Sequence, residues 1–210
     1  MPLYRNGAKI VFFVHIPKTG GSSIEKAFRR LGCKEAFRFN SKRPFSKCTL
    51  QHMHKGVYKE AIRSGFADYS FAVKRNPYDR MASEFRMKAL DRNERQNPDK
   101  WILEALERFK EFSFTRDNHI RPQVEFISET TEVFAFEDGL EAAMAPALKV
   151  LGLNPPKSMP HEKKGSREKI RVKNKTVEAL AQFYARDFDE LGYDTGDFGK
   201  HFEIDAGRWW

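Results

Sequence analysis

Cysteine is scarce in this chain: its 210 residues include only Cys33 and Cys48, and no Cys-x-x-Cys spacing occurs. That excludes a disulfide framework and a cysteine-built zinc site. The pair itself is open to two readings, a single bridge or the two reduced thiols that a cytoplasmic protein keeps. Long apolar runs are missing too. The run nearest the N-terminus, Ile10–Val14, falls short of the ~7–15-residue core of a signal peptide and far short of the ~20 residues that cross a membrane. A cytoplasmic protein with no membrane span is the expectation. There is no internal repeat and no low-complexity segment. Helix-turn-helix, zinc and aromatic RNA-binding patterns are also absent, so a nucleic-acid-binding module has only charge in its favour.

What the chain does have is the make-up of a folded protein: 40% hydrophobic and 32% charged residues, with nineteen phenylalanines. The length suits a single domain over 1–210, with a core over 9–193 and a short tail over 194–210. A net charge of +9 points to anionic partners: a polyphosphorylated nucleotide, an acidic sugar, nucleic acid or a membrane surface.

Lys9–His15 is a continuous apolar run rich in β-branched and aromatic residues, the pattern of a strand buried on both faces. Ile24, Ala27, Phe28 and Leu31 then fall on one helical stripe, closed by Gly32. A weakly periodic basic stretch covers Cys33–Met53. Tyr69–Lys74 reads as a second strand, and Asn76-Pro77 starts a helix to about Leu90. Asp91–Asp99 reads as a loop, and Trp101, Ile102, Ala105, Leu106 and Phe109 mark another helix. A third strand is expected at Glu132–Phe136, and a helix at Leu140–Leu151, kinked or restarted at Pro146. A basic loop at Lys157–Lys175 and a last helix from Thr176 to Gly192 complete the chain. Strands alternating with helices predict an α/β fold: a P-loop-like, mainly parallel central sheet flanked by helices.

Between the first strand and the first helix stands His15-Ile16-Pro17-Lys18-Thr19-Gly20-Gly21-Ser22-Ser23. The first amides of a helix have no partner within it, and its dipole adds positive charge there, so such a loop suits a phosphate-like anion. Gly20 and Gly21 let the backbone approach closely. Thr19, Ser22 and Ser23 bring hydroxyls, and Lys18 a mobile cation. The Walker A pattern of nucleotide kinases is not met: the lysine precedes the glycines, and no glycine stands five residues before Gly20. A kinase remains the competing enzyme class.

The loop resembles the 5′-phosphosulfate loop of sulfotransferases, in the form carried by the carbohydrate sulfotransferases grouped with heparan sulfate 2-O-sulfotransferase. Phe71-Ala72-Val73-Lys74-Arg75-Asn76-Pro77-Tyr78-Asp79-Arg80-Met81-Ala82-Ser83 is similar to that family's 3′-phosphate signature, and the resemblance extends loosely from Ile10 to Tyr193 through His119-Ile120-Arg121-Pro122-Gln123 and Phe134–Asp138. It implies 3′-phosphoadenosine 5′-phosphosulfate (PAPS) as cofactor, adenosine 3′,5′-bisphosphate as product, and no metal. It implies that Lys18 contacts the oxygen bridging phosphate and sulfate, that Thr19, Gly20, Gly21, Ser22 and Ser23 hold the 5′ end, and that Arg75 and Ser83 hold the 3′-phosphate. Ser166 and Arg167, in a basic loop, would close over the adenosine side. Alternatively that loop is a solvated charge run.

A hydroxyl acceptor needs a base, and a neutral histidine suits that work. In Gln51-His52-Met53-His54 the resemblance makes His54 the base, with His52 and His119 as alternatives. The family's acceptor-binding inserts are missing here. Lys34, Arg38, Lys42, Arg43 and Lys47 suit an anionic sugar or simply a solvated loop, and Trp209-Trp210 suit a sugar, a partner chain or the protein body.

Overall fold

The structure, a computed structural model, describes residues 1–38, 46–90, 97–160 and 168–205. In chain order the first half holds β1 (Leu3–Asn6), β2 (Lys9–Val14), α1 (Gly21–Arg30), β3 (Lys34–Ala36), α2 (Lys55–Ala61), β4 (Tyr69–Lys74) and α3 (Pro77–Leu90). The second holds α4 (Pro98–Glu111), β5 (Glu132–Ala135), α5 (Leu140–Leu151), β6 (Ile170–Val172), α6 (Asn174–Phe183), α7 (Ala185–Leu191) and β7 (Phe202–Ile204). These elements fall into two compact units.

The first unit comprises the described residues of Met1–Arg75, Asp117–His119 and Glu125–Lys163. Its five-stranded sheet has the order β3-β1-β2-β4-β5. β2, β4 and β5 run parallel, while β1 pairs antiparallel with both β2 and β3. The sheet is therefore mixed, parallel at the centre where the sequence placed its strands. One face packs Val11, Phe13, Phe71 and Val73 against Ile24, Ala27 and Phe28 of α1 and Met144, Ala147, Leu148 and Leu151 of α5. The other carries Phe12, whose ring meets Tyr58 of α2 edge-on at 5.1 Å. Covered on both faces, β2 has to be apolar without alternation, and it is.

The second unit comprises the described residues of Asn76–Arg116, Ile120–Val124 and Lys164–Trp210. Asn76 caps α3 as expected, its Oδ1 accepting from the amides of Tyr78 (2.9 Å) and Asp79 (3.3 Å). Tyr78, Met81, Ala82 and Phe85 of α3 pack with Trp101, Ile102, Ala105 and Leu106 of α4 and with Val177, Leu180 and Phe188.

Several expectations are corrected. The stretch Lys157–Lys175 is not all loop: β6 lies within it, parallel to β7, and α6 begins at Asn174. Ile170 and Val172 bury their side chains while Arg171 faces out, a three-residue alternation too short to stand out. The last helix is two, parted at Tyr184, whose hydroxyl donates to the Ile120 carbonyl at 2.7 Å. α5 does not restart at Pro146 but continues through it, and it ends at Gly152 in the left-handed conformation. α4 starts at Pro98, inside the expected loop. Among the described residues no helix is long and apolar enough to cross a membrane.

Candidate active site

Past β2 the chain turns sharply. Lys18 (φ 71°) and Gly20 (φ 85°) both take the left-handed conformation, unusual for a lysine. Thr19 is fully buried, and its hydroxyl donates to the Ile16 carbonyl at 2.8 Å. That hydroxyl is committed to holding the turn, so of Thr19 only the backbone is left to face an anion. Gly20 is the N-cap of α1 and supplies no side-chain cap; its carbonyl accepts from the Ser23 amide at 3.0 Å, which leaves the amides of Gly21 and Ser22 to meet an acceptor from outside the helix. Ser22 is exposed and Ser23 partly so.

Gly21 has a steric reason to be glycine. A Cβ there would lie 2.4 Å from Nε2 of His15, whose imidazole packs against the first turn of α1. His15 is in turn fixed: its Nδ1 lies 2.5 Å from Glu25 Oε1, and both side chains are almost wholly buried. Gln51 donates to both Glu25 oxygens, at 2.7 and 2.9 Å. Burial alone would raise the Glu25 pKa, but the hydrogen bonds from His15 and Gln51 and the charge of Arg38, 3.5 Å away, hold it down at about 2. Behind the loop therefore stands a buried carboxylate that positions a histidine.

Arg75 leaves the end of β4 and reaches back. Its Nη1 donates to the Lys18 carbonyl at 3.2 Å, and its guanidinium lies 4.6 Å from the centre of the Phe136 ring. The structure thus brings Lys18, Thr19, Gly20, Gly21 and Arg75 together in the first unit. Ser83, half-buried on α3, belongs to the second. Ser166, Arg167, Lys42, Arg43, Trp209 and Trp210 lie outside the described residues.

The histidines sort by their partners. His54 is the N-cap of α2, and its Nδ1 accepts from the Gly56 amide at 3.2 Å. His52 sits at the end of a short 3₁₀ turn, and its Nδ1 is 2.7 Å from Asp117 Oδ2. The rings of His15, His52 and His119 meet edge to face in a row, with centroids 5.1 and 4.8 Å apart. Asp117 is reached through an unusual backbone: Arg116, Asp117 and Asn118 all have positive φ, at 51°, 55° and 63°. Such residues cost on the order of 1 kcal/mol each. The turn is held by bonds on either side. The Thr49 amide and hydroxyl donate to Asp117 at 2.6 and 2.8 Å, and Asn118 donates to the His52 carbonyl at 2.8 Å. Burial would raise the Asp117 pKa, yet the bonds from His52 and Thr49 hold it well below the usual carboxylate range. For His52 burial dominates and lowers the pKa, with His119 and His15 adding to it against the opposing pull of Asp117.

Ligand atoms of His52, Asp117 and His119 lie within 4.8 Å of one another, a set able to hold a metal ion. The 2.7 Å separation of His52 Nδ1 and Asp117 Oδ2 is that of a shared proton. Two ligands on one zinc at 2.0–2.2 Å stand roughly 3.3 Å apart in a tetrahedron.

His15, Glu25, Gln51 and Asp117 were not singled out as site side chains from the sequence. Glu25 left a trace, as a carboxylate directly beside the apolar stripe of α1. Asp117 left none, because only the left-handed turn aims it.

Comparison with known proteins identifies the class. A family model described as "Sulfotransferase family" matches residues 3–194, and the chain belongs to the sulfotransferase family. Among solved structures it is similar to a sulfotransferase from Alicyclobacillus acidocaldarius, at 17% identity and a TM-score of 0.40, over 67% of this chain and 60% of that one. No curated protein matches significantly.

Proposed function

We propose that this chain transfers a sulfuryl group from PAPS to a hydroxyl of a carbohydrate or related acceptor, without a metal. The observation that carries the reading is the loop: the N-terminus of α1 with no side-chain cap, entered through the left-handed turn at Lys18 and Gly20, in a member of the sulfotransferase family. These residues fit the cofactor, because an anionic phosphosulfate end needs backbone donors and a cation, which the first turn of α1 and Lys18 supply. PAPS, when bound, supplies a sulfuryl group already attached to a good leaving phosphate.

Lys18 stabilises the charge that gathers on the bridging oxygen, and the amides of α1 take the rest. Such loose transfers are governed by positioning and electrostatics rather than by covalent help. The resemblance adds Arg75 and Ser83 for the 3′-phosphate, and Ser166 and Arg167 for the adenosine side. A histidine of the cluster takes the acceptor's proton. Of the cations suited to an anionic acceptor, Arg38 is turned towards Glu25 and Glu35. A cytoplasmic location and a single functional domain go with this reading.

The test is thermal: melting with adenosine 3′,5′-bisphosphate in EDTA. A ligand at ~100 times its Kd stabilises by about 2.7 kcal/mol, or roughly 5–11 °C for a chain of this size. No shift in EDTA, together with a shift on Mg-ATP, would overturn the reading in favour of a kinase.

A further inference from the structure

We propose that His52, positioned by Asp117, takes the proton from the acceptor hydroxyl, and that His54 serves the fold. The inference rests on the sulfuryl-transfer reading above and names its base.

An ionised carboxylate only accepts hydrogen bonds, so the 2.7 Å contact with Asp117 puts the His52 proton on Nδ1. Nε2 is then left with its lone pair, the state a base requires. His54 is arranged the other way. Its Nδ1 already accepts from the Gly56 amide, so the neutral ring carries its proton on Nε2. To act as a base it would have to release its cap on α2 first.

Position agrees. The His15 ring lies against the first turn of α1, where a Gly21 Cβ would be 2.4 Å from it, and the His52 ring meets His15 at 5.1 Å. His52 therefore stands one side chain away from the anion-binding end of α1. The titratable groups around it are Asp117, His119 and His15, with Glu25 behind His15. A strained backbone over 116–118, bonded to Thr49 and His52, is the device that aims the carboxylate.

In the step, His52 Nε2 accepts the hydroxyl proton as the acceptor oxygen bonds to sulfur. The bond from sulfur to the bridging oxygen breaks, and its electron pair stays on the phosphate beside Lys18. The products are a sulfate ester and adenosine 3′,5′-bisphosphate, and the proton leaves His52 to solvent.

The first test needs no turnover. Long-range nitrogen–proton NMR of histidine-labelled protein should show His52 protonated on Nδ1 and His54 on Nε2, and Asp117→Asn should erode the first assignment and not the second. An Nε2-protonated His52 in the wild type overturns the proposal. The second test reads release of labelled sulfate from PAPS to water, the simplest hydroxyl. His52→Ala and Asp117→Asn should lower it by about 10²–10⁴-fold, with the melting shift on the bisphosphate retained as proof of folding. His54→Asn, which still caps α2, should fall less than tenfold. Wild-type release with His52→Ala unaffected, or with His54→Asn carrying the large loss, overturns this inference alone. A wild type that neither binds the bisphosphate nor releases sulfate overturns the sulfuryl-transfer reading instead. Loss of wild-type release in EDTA, restored by zinc, reassigns the cluster as a metal centre and overturns the proposal.

Discussion

Gly21→Ala is the substitution for which helix propensity and the structure give opposite signs. Alanine in place of glycine within a helix is worth up to about 1 kcal/mol in its favour. Here the new Cβ would sit 2.4 Å from His15 Nε2, where ordinary contact begins near 3.4 Å, so the ring must withdraw by about 1 Å. It has little freedom to do so, because Nδ1 is held 2.5 Å from Glu25 and Glu25 is held by Gln51. Overpacking costs about 1–3 kcal/mol, and a stretched bond to a buried charge about 1.5–3 kcal/mol. Less the propensity gain, the net loss is about 3 kcal/mol, or roughly 6–12 °C in Tm at this chain length. Calorimetry or dye-monitored melting reads it directly. Gly32→Ala is the comparison: its φ of 79° carries the left-handed penalty of about 1–2 kcal/mol, but its Cβ would meet nothing within 4 Å. Gly32→Ala should leave bisphosphate affinity intact, whereas Gly21→Ala should weaken it by shifting the first amides of α1. In the double variant His15→Ala/Gly21→Ala the two costs should fail to add, because removing the ring removes the clash. A Gly21→Ala protein that melts at or above the wild type would refute the packing argument.

Two further outcomes are expected. Arg75→Ala should weaken binding of both adenosine 5′-phosphosulfate and the bisphosphate, since it removes the bond to the Lys18 carbonyl, and should weaken the bisphosphate more; equal losses in titration calorimetry would leave Arg75 a strut of the loop only. Glu25, depressed from 4.5 to about 2, contributes stability that is complete above pH 4.5 and lost as the pH falls towards 2, on the order of 3 kcal/mol; denaturant melts from pH 7 to pH 3 should show an acid limb that Glu25→Gln flattens.

Much of the fold was legible because its strongest elements carry local signals. β4 and α3 lie where the apolar run and the Asn76-Pro77 start put them, since burial on two faces and a capped first turn are written into neighbouring residues. What escaped depends on pairing. β3 has three residues with no apolar face of their own, and it exists because β1 offers an edge. β1 itself had a signal: Gly7, at φ 57°, opens a two-residue turn between the partners Asn6 and Lys9, the place where hairpins favour glycine. β6 and α7 depend on β7 and on the Tyr184 anchor, contacts between distant residues that no window of sequence contains.

The site divides along the same line. The glycine loop between β2 and α1 is contiguous, so its residue types could be read as chemistry at once. What fixes the loop is not contiguous: His15 is set by Glu25, Glu25 by Gln51, and the Lys18 carbonyl by Arg75. The histidines mark the limit. By residue type His52 and His54 are equivalent, two imidazoles in one tetrapeptide, and only the resemblance ranked them. The structure separates them by what each Nδ1 meets, an amide two residues on for His54 and a carboxylate sixty-five residues away for His52. A backbone N–H and a carboxylate impose opposite tautomers on the same ring. The tautomer of His52 is therefore set by the left-handed turn at 116–118, and that turn is held because Thr49 and the His52 carbonyl bond to it.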